Sequence, residues 1–464
     1  MVVGLPRDGL SPAWERDFAS YTPAGVILFR RDFRDLEDLR RLTARLRELA
    51  QPRRIFVTMD EEGGVVSQLT DLVTVPPNAL LLSRGARSGG IEHVARVTAR
   101  RLRALGVDWV FAPVADIHSE PANPVIGPRA FGTDAATVSA AVGEVLRGFR
   151  ATGLGACLKH FPGHGATTVD SHLVLPTAPP LDTLERRELV PFRENREADA
   201  VMMAHVVIPD LEPGRPATLS PAAHDLLRKR LEFRGVAITD ALEMKGAAIG
   251  TPLEVTRLAL EAGCDLLLFA FHDEEVRRLR LELARLLTEG GLDRTRFDEG
   301  RDRLAELDRR IPPPTADETA AALESLTPPD WETGLAEIIE RGLVVSGTLP
   351  APPAGLRIDH PVPPLTTGIT IDTDLGTPLR EAGVRVDADA TTAVIAVGRR
   401  VPLDDDAVAA LRAAVRERPT ILVGLQNDAF LDQVPEAAVR ISASDATTLT
   451  RRVVARRIAA LIGD

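Results

Sequence analysis

Apolar residues along the first two thirds of the chain fall into two alternating patterns. Short continuous runs occur at 2–5, 25–29, 55–60, 109–114, 156–161, 200–205, 236–240 and 265–270. Continuous runs, unlike apolar–polar alternation, predict strands covered on both faces, as in a parallel sheet. Between them, at 36–49, 93–105, 135–152, 184–198, 221–230, 254–262 and 274–287, apolar positions recur three and four apart and predict amphipathic helices. Eight strands with intervening helices over roughly 300 residues predict a (β/α)8 TIM barrel. A doubly wound open sheet is the alternative, but no G-x-G-x-x-G follows the first strand, so its dinucleotide-binding version lacks support.

The alternation stops at 312–335. Ile311-Pro312-Pro313-Pro314 leads into an acidic, alanine-rich stretch at 317–324 and then Pro328-Pro329, which predicts a linker holding one short helix. A helix is expected at 331–341, and a smaller α/β unit follows, with strands at 392–397 and 420–424 and helices at 404–416 and 446–461. Asp404-Asp405-Asp406 suits a helix N-terminus, where the dipole favours carboxylates, better than a metal site. The expected division is a barrel over 1–311, a linker over 312–335 and a C-terminal α/β domain over 336–464.

Polar residues cluster where the barrel strands end. Asp60-Glu61-Glu62 closes one strand, Asp116 follows another, Lys159-His160 closes a third, His205 a fourth and Asp240 a fifth. In a barrel these points share the C-terminal rim, where active sites are built. The densest stretch is Lys159-His160-Phe161-Pro162-Gly163-His164-Gly165 with Asp170-Ser171-His172, which holds three of the nine histidines of the chain. Its glycines and proline exclude a helix interior and a regular strand.

Each of these groups has a structural reading beside the chemical one. Asp240 can act as a nucleophile toward an electrophilic carbon or cap a turn begun by Ala241. Asp170 can fix the tautomer of His172 and make it a proton shuttle, or the two can be a surface pair. Arg129, in the loop after the strand at 109–114, can recognise hydroxyls or carbonyls, or form a surface ion pair. His160, His164, Asp170 and His172 could bind zinc or manganese, but their spacing matches no helical zinc signature and Lys159 adds positive charge beside them. No metal or other cofactor is expected.

Composition narrows the partners. Net charge is −11, from 56 basic against 67 acidic residues, which argues against nucleic acid or an anionic membrane as the main partner. The two cysteines, Cys157 and Cys264, lie in apolar runs that suit buried thiols. No run approaches the ~20 apolar residues of a membrane span. The stretch Met1-Val2-Val3-Gly4-Leu5-Pro6 has neither a basic region nor a long apolar one, so a cytoplasmic location is expected. A small-molecule substrate and a monomeric or weakly associated chain complete the expectation.

The motifs together resemble family 3 glycoside hydrolases, in particular the bacterial β-N-acetylglucosaminidase branch. The histidine-rich stretch at 159–172 is similar to the branch signature. Asp60-Glu61-Glu62-Gly63-Gly64 is similar to D-x-E-G-G, and Ala112-Pro113-Val114-Ala115-Asp116 to A-P-V-x-D. Asn123-Pro124-Val125-Ile126-Gly127 with Arg129-Ala130-Phe131-Gly132, and Thr239-Asp240-Ala241-Leu242-Glu243-Met244, match in the same order. The resemblance spans roughly residues 20–300. It implies a retaining mechanism, with Asp240 forming a covalent glycosyl-enzyme and His172, paired with Asp170, as acid/base in place of a second carboxylate. It implies that Asp60, Arg129, Lys159 and His160 hold the sugar, with His205 and Met244 beside them. The implied substrate is a terminal β-GlcNAc on peptidoglycan-derived muropeptides. Phosphate in place of water as acceptor, another family 3 specificity such as β-glucosidase, and a non-catalytic sugar-binding relative are the alternatives. Val65 and Gln68 stand where the branch carries arginines, and Ala166 where an acidic residue is common.

Overall fold

The computed structural model describes residues 1–7, 9–170, 174–247, 249–271, 274–362, 371–399 and 401–463. Contacts divide the chain into two compact units. The first comprises 1–62, 91–119 and 133–328; the second comprises 63–90, 120–132 and 329–464. Two segments lying between barrel elements in sequence thus belong to the same unit as the C-terminal sheet.

The first unit is a closed barrel of eight parallel strands in chain order. These are β1 (Val2–Val3), β2 (Gly25–Ile27), β3 (Phe56–Met59), β4 (Trp109–Val110), β5 (Gly155–Phe161), β6 (Ala200–Met203), β7 (Val236–Ala241) and β8 (Leu266–Phe269). The eight runs read from the sequence are these strands, and the (β/α)8 architecture stands. β4 is shorter than its apolar run, but hydrogen bonds to its neighbours continue past it: Phe111 N–H donates to Met59 O at 3.0 Å, Cys157 N–H to Ala112 O at 2.9 Å and Ala115 N–H to Lys159 O at 2.7 Å. Phe56, Trp109, Phe111, Cys157, Met202 and Ile238 are among the residues filling the barrel interior, and Leu307 and Ile311 join that cluster. Trp109 and Phe111 meet edge to face at 5.2 Å and are core. Both cysteines are free and buried.

The residues just before three strands form a repeated device. Asp108 accepts from Val57 N–H at 2.7 Å and pairs with Arg47 at 2.6 Å. Asp199 accepts from Ala156 N–H at 3.0 Å and pairs with Arg310 at 3.0 Å. Asp265 accepts from Ala237 N–H at 2.8 Å and pairs with Arg228 at 2.7 Å and Arg303 at 2.9 Å. Each aspartate entering an even-numbered strand thereby ties down an amide of the strand before it. A buried carboxylate with an arginine fork and an amide donor has the partners that its burial demands.

The second unit holds a five-stranded sheet in the order β10-β11-β12-β13-β9. β9 (Val344–Gly347) runs antiparallel to β13 (Val439–Ser442), while β10 (Leu356–Ile358), β11 (Thr392–Val397) and β12 (Thr420–Gly424) run parallel with β13. Neighbours in β11 and β12 serve opposite faces: Val394, Ile421 and Val423 join one apolar cluster, and Ile395 and Leu422 the other. The helices at Asp405–Glu417 and Thr448–Gly463 agree with the sequence reading, and Asp404 caps the former by accepting from Ala407 N–H at 2.8 Å. Segment 63–90 joins this unit through Asn78, whose amide N–H donates to Asp445 at 3.0 Å and whose side chain meets Gln426 at 3.1 Å. The short helix of the proline-rich stretch lies at Ala316–Ala320.

Candidate active site

The C-terminal ends of β3, β5, β6 and β7 gather the titratable groups of the barrel. β5 is buried along its whole length, so Lys159 and His160 are committed to protein partners. Lys159 Nζ sits between two carboxylates, 2.7 Å from Asp60 and 2.6 Å from Glu62. One ammonium between two carboxylates leaves a net negative charge, suited to accepting hydrogen bonds from hydroxyls.

His160 is fixed from below. Its Nδ1 lies 2.6 Å from Asp116 Oδ2, which also accepts the His160 backbone N–H at 3.1 Å. The other oxygen of Asp116 accepts His164 N–H at 2.7 Å. Burial would raise the Asp116 carboxyl, but the charge and hydrogen bond of His160, with further help from His164, hold it below its ordinary value. An ionised Asp116 puts the ring proton of His160 on Nδ1. His164 goes the other way: burial, and then the neighbouring His160, push it down to about 4, so it is neutral at pH 7. Its Nδ1 meets Thr167 Oγ1 at 2.7 Å.

Close packing shapes the loop after β5. A side chain on Gly165 would run into the carbonyl of Ile117 at 1.7 Å. Gly163 adopts φ +118°, and a Cβ there would meet Glu188 at 2.8 Å. Glu188 is fully buried; one oxygen takes Ser119 Oγ–H at 3.0 Å and Arg187 Nε–H at 2.6 Å, and burial raises its carboxyl. Asp170 is half-buried, and its carbonyl accepts Val174 N–H at 3.0 Å. His172 lies outside the described residues.

Asp240 stands in the last turn of pleat in β7, and only its Oδ1 takes a described hydrogen bond, from Ala241 N–H at 2.7 Å. The strand runs through Ala241, so Asp240 does not cap a helix. Burial would raise its carboxyl, but the charges of His160 and His205, the Ala241 amide and Lys159 hold it below the ordinary value. An ionised carboxylate with one oxygen outside the described hydrogen bonds, set near Lys159 and two histidines at a strand end, is equipped as a nucleophile. His205 Nδ1 meets Thr218 Oγ1 at 2.9 Å, and its Nε2 meets Ala241 O at 3.0 Å. Met244 follows in the turn, its N–H donating to Ala241 O at 3.1 Å.

Residues 12–307 match the glycosyl hydrolase family 3 N-terminal domain. The chain belongs to glycosyl hydrolase family 3. It is 37% identical to the β-hexosaminidase of Chromobacterium violaceum, over 66% of this chain and 88% of that one. All of the chain superposes on a family 3 β-N-acetylglucosaminidase from Paenibacillus sp. str. FPU-7, with 28% identity, 95% of that chain covered and a TM-score of 0.87. NagZ from Neisseria gonorrhoeae, solved with N-trifluoroacetyl-D-glucosamine, is 30% identical over 73% of this chain and 96% of its own, with a TM-score of 0.61.

Of the residues singled out in this family 3 chain, Asp60, Lys159, His160, His205, Asp240 and Met244 belong to the barrel unit, and Lys159, His160 and His205 all act on Asp240. Arg129 belongs to the second unit, at the end of the turn Gly127–Arg129, with Nη1 donating to Val125 O at 3.2 Å. Among the described residues no group of three or more His, Cys, Asp and Glu could hold a metal ion. Glu62 and Glu188 were not read as site residues from the sequence. For Glu62, its place two after Asp60 was the available signal, since alternate residues of an extended segment face one way.

Proposed function

We propose that this protein is a retaining exo-β-N-acetylglucosaminidase that removes terminal β-GlcNAc from peptidoglycan-derived fragments. The observation that carries the proposal is Asp240: it is held ionised at the rim, with one oxygen on Ala241 N–H. In the first step its second oxygen attacks the anomeric carbon. The glycosidic C–O bond breaks as the ester to Asp240 forms, and His172 gives its proton to the departing oxygen. In the second step His172 takes a proton from water, the water oxygen attacks the same carbon, and the ester opens with the β-configuration restored.

Asp170 orients His172 and stabilises its charged form. Asp60, polarised by Lys159, accepts from sugar hydroxyls, with Lys159 and His160 as further contacts and His205 and Met244 at the edge. No cofactor enters either step. Small soluble fragments fit action in the cytoplasm. No helix among the described residues is long and apolar enough to cross a membrane.

The test is the anomer released first from a β-GlcNAc glycoside, followed by NMR, with the glycosyl-enzyme trapped by a fluorinated GlcNAc analogue. The β-anomer first, with the added sugar mass on the peptide holding Asp240, supports the reading. The α-anomer first, or the mass on another peptide, sinks it. Phosphate added to the same reaction would yield a sugar 1-phosphate if the acceptor is phosphate.

A further inference from the structure

His205 is buried two residues after β6, the strand beside β7, and both of its ring nitrogens face protein atoms. Its Nε2 lies 3.0 Å from the carbonyl oxygen of Ala241. A carbonyl only accepts, so Nε2 carries a hydrogen. Thr218 Oγ1, opposite Nδ1, has one proton and also lies 2.7 Å from Ala204 O and 3.1 Å from Met203 O. If that proton goes to Ala204 O, Nδ1 also donates and the ring is an imidazolium; if it goes to Nδ1, the ring is neutral. The bond from Nε2 to Ala241 is the same in both cases.

Residue 241 therefore joins two groups. Its carbonyl is held by His205 and by Met244 N–H, and its own N–H holds Asp240 Oδ1. We infer that His205 is a positioning residue: through the backbone of Ala241 it fixes the carboxylate of Asp240 in its attacking orientation. This rests on the assignment of Asp240 as nucleophile. It gives His205 a task other than contact with the sugar. The titratable side chains acting on Asp240 are His160, His205 and Lys159.

The experiment compares the intact wild-type protein with His205→Phe, which keeps a ring without a donor, and His205→Gln, which returns an N–H. Nitrophenyl β-GlcNAc is the substrate, and melting temperatures are measured alongside. In the Phe variant kcat is expected to fall about 10²-fold, the scale of a misplaced reacting group, with KM little changed. The Gln variant is expected to recover most of that loss at the same melting temperature. A raised KM with kcat kept, wild-type kcat in the Phe variant, or equal losses in both variants would overturn the inference. Should the Phe variant not fold, Thr218→Val keeps the histidine and loosens its ring; a kcat loss of about fivefold, the worth of one neutral hydrogen bond, supports the inference, and no loss overturns it. If wild type acts on the glycoside and Asp240→Asn does not, an unaffected His205→Phe refutes this inference alone. If wild type is inactive, both readings fall together.

Discussion

The two ends of the barrel carry similar residues in different company. At the N-terminal end, Asp108, Asp199 and Asp265 each face an arginine and a backbone amide of the adjacent strand. An arginine does not lose its charge, so these pairs are permanent clamps. At the C-terminal end, Asp60, Glu62 and Asp116 face Lys159 and His160, and Asp240 has the Ala241 amide with cations near it. Lysine and histidine can shift or share protons, and Asp240 has only one oxygen in a described hydrogen bond. A buried acid is thus not a sign of function by itself; its partners decide. This agrees with the separation of stability and chemistry between the two faces of such barrels.

The largest break in that comparison is Asp240→Asn. It should lower kcat/KM by about 10⁴-fold or more, as loss of a nucleophile does, far beyond what any accompanying loss of stability explains. Asp265→Ala should do the reverse. It strands Arg228 and Arg303, so chemical denaturation should show a loss of about 3 kcal/mol, with kcat per folded molecule within about twofold of wild type. A large kcat loss in that variant would mean that the two ends are not separate. Asp116→Asn comes next, since it leaves one acceptor oxygen where two serve His160 and His164, and removes the charge beside the His160 ring. Steady-state kinetics should show a drop of about 10²-fold.

The smallest effect is in pH dependence, where the two ends have opposite signs. Asp116 and Asp240 are held below their ordinary values, so their stabilisation is present above the unfolded value, about 3.9, and is lost as pH falls through the lower folded one. Asp108 and Asp199 are raised by burial despite their arginines, so their contribution is present below the unfolded value and fades as pH rises through the folded one. Denaturation curves across acid pH should show Asp116→Asn removing a loss on the acid side and Asp199→Asn flattening the fall on the other. The same sign in both variants would contradict the assignment.

Much of this was legible in the sequence. Continuous apolar runs marked all eight barrel strands because a strand covered on both faces tolerates little else. Lys159, His160 and Asp240 stood out because each directly closes such a run. The role of Asp108, Asp199 and Asp265 was readable but unread: each precedes its run, which places it at the opposite end. Glu188 was hidden by periodicity. The expected helix at 184–198 contains a wide turn, Leu189 N–H reaching back to Leu184 O at 2.8 Å, and Glu188 at its end is buried. The attachment of 63–90 to the C-terminal sheet could not be read, since Asn78 and Asp445 meet across 367 positions with no local pattern to announce it. Strands β9, β10 and β13 escaped because none is a continuous apolar run: Arg357 interrupts β10, Arg440 interrupts β13, and β9 is largely exposed.

The most direct measurement is nitrophenol release from the β-GlcNAc and β-glucose glycosides by wild type and Asp240→Asn side by side. The account expects release from β-GlcNAc by wild type, little from β-glucose, and none from either by the variant. Release by Asp240→Asn at the wild-type rate, or wild-type action on β-glucose alone, would contradict it.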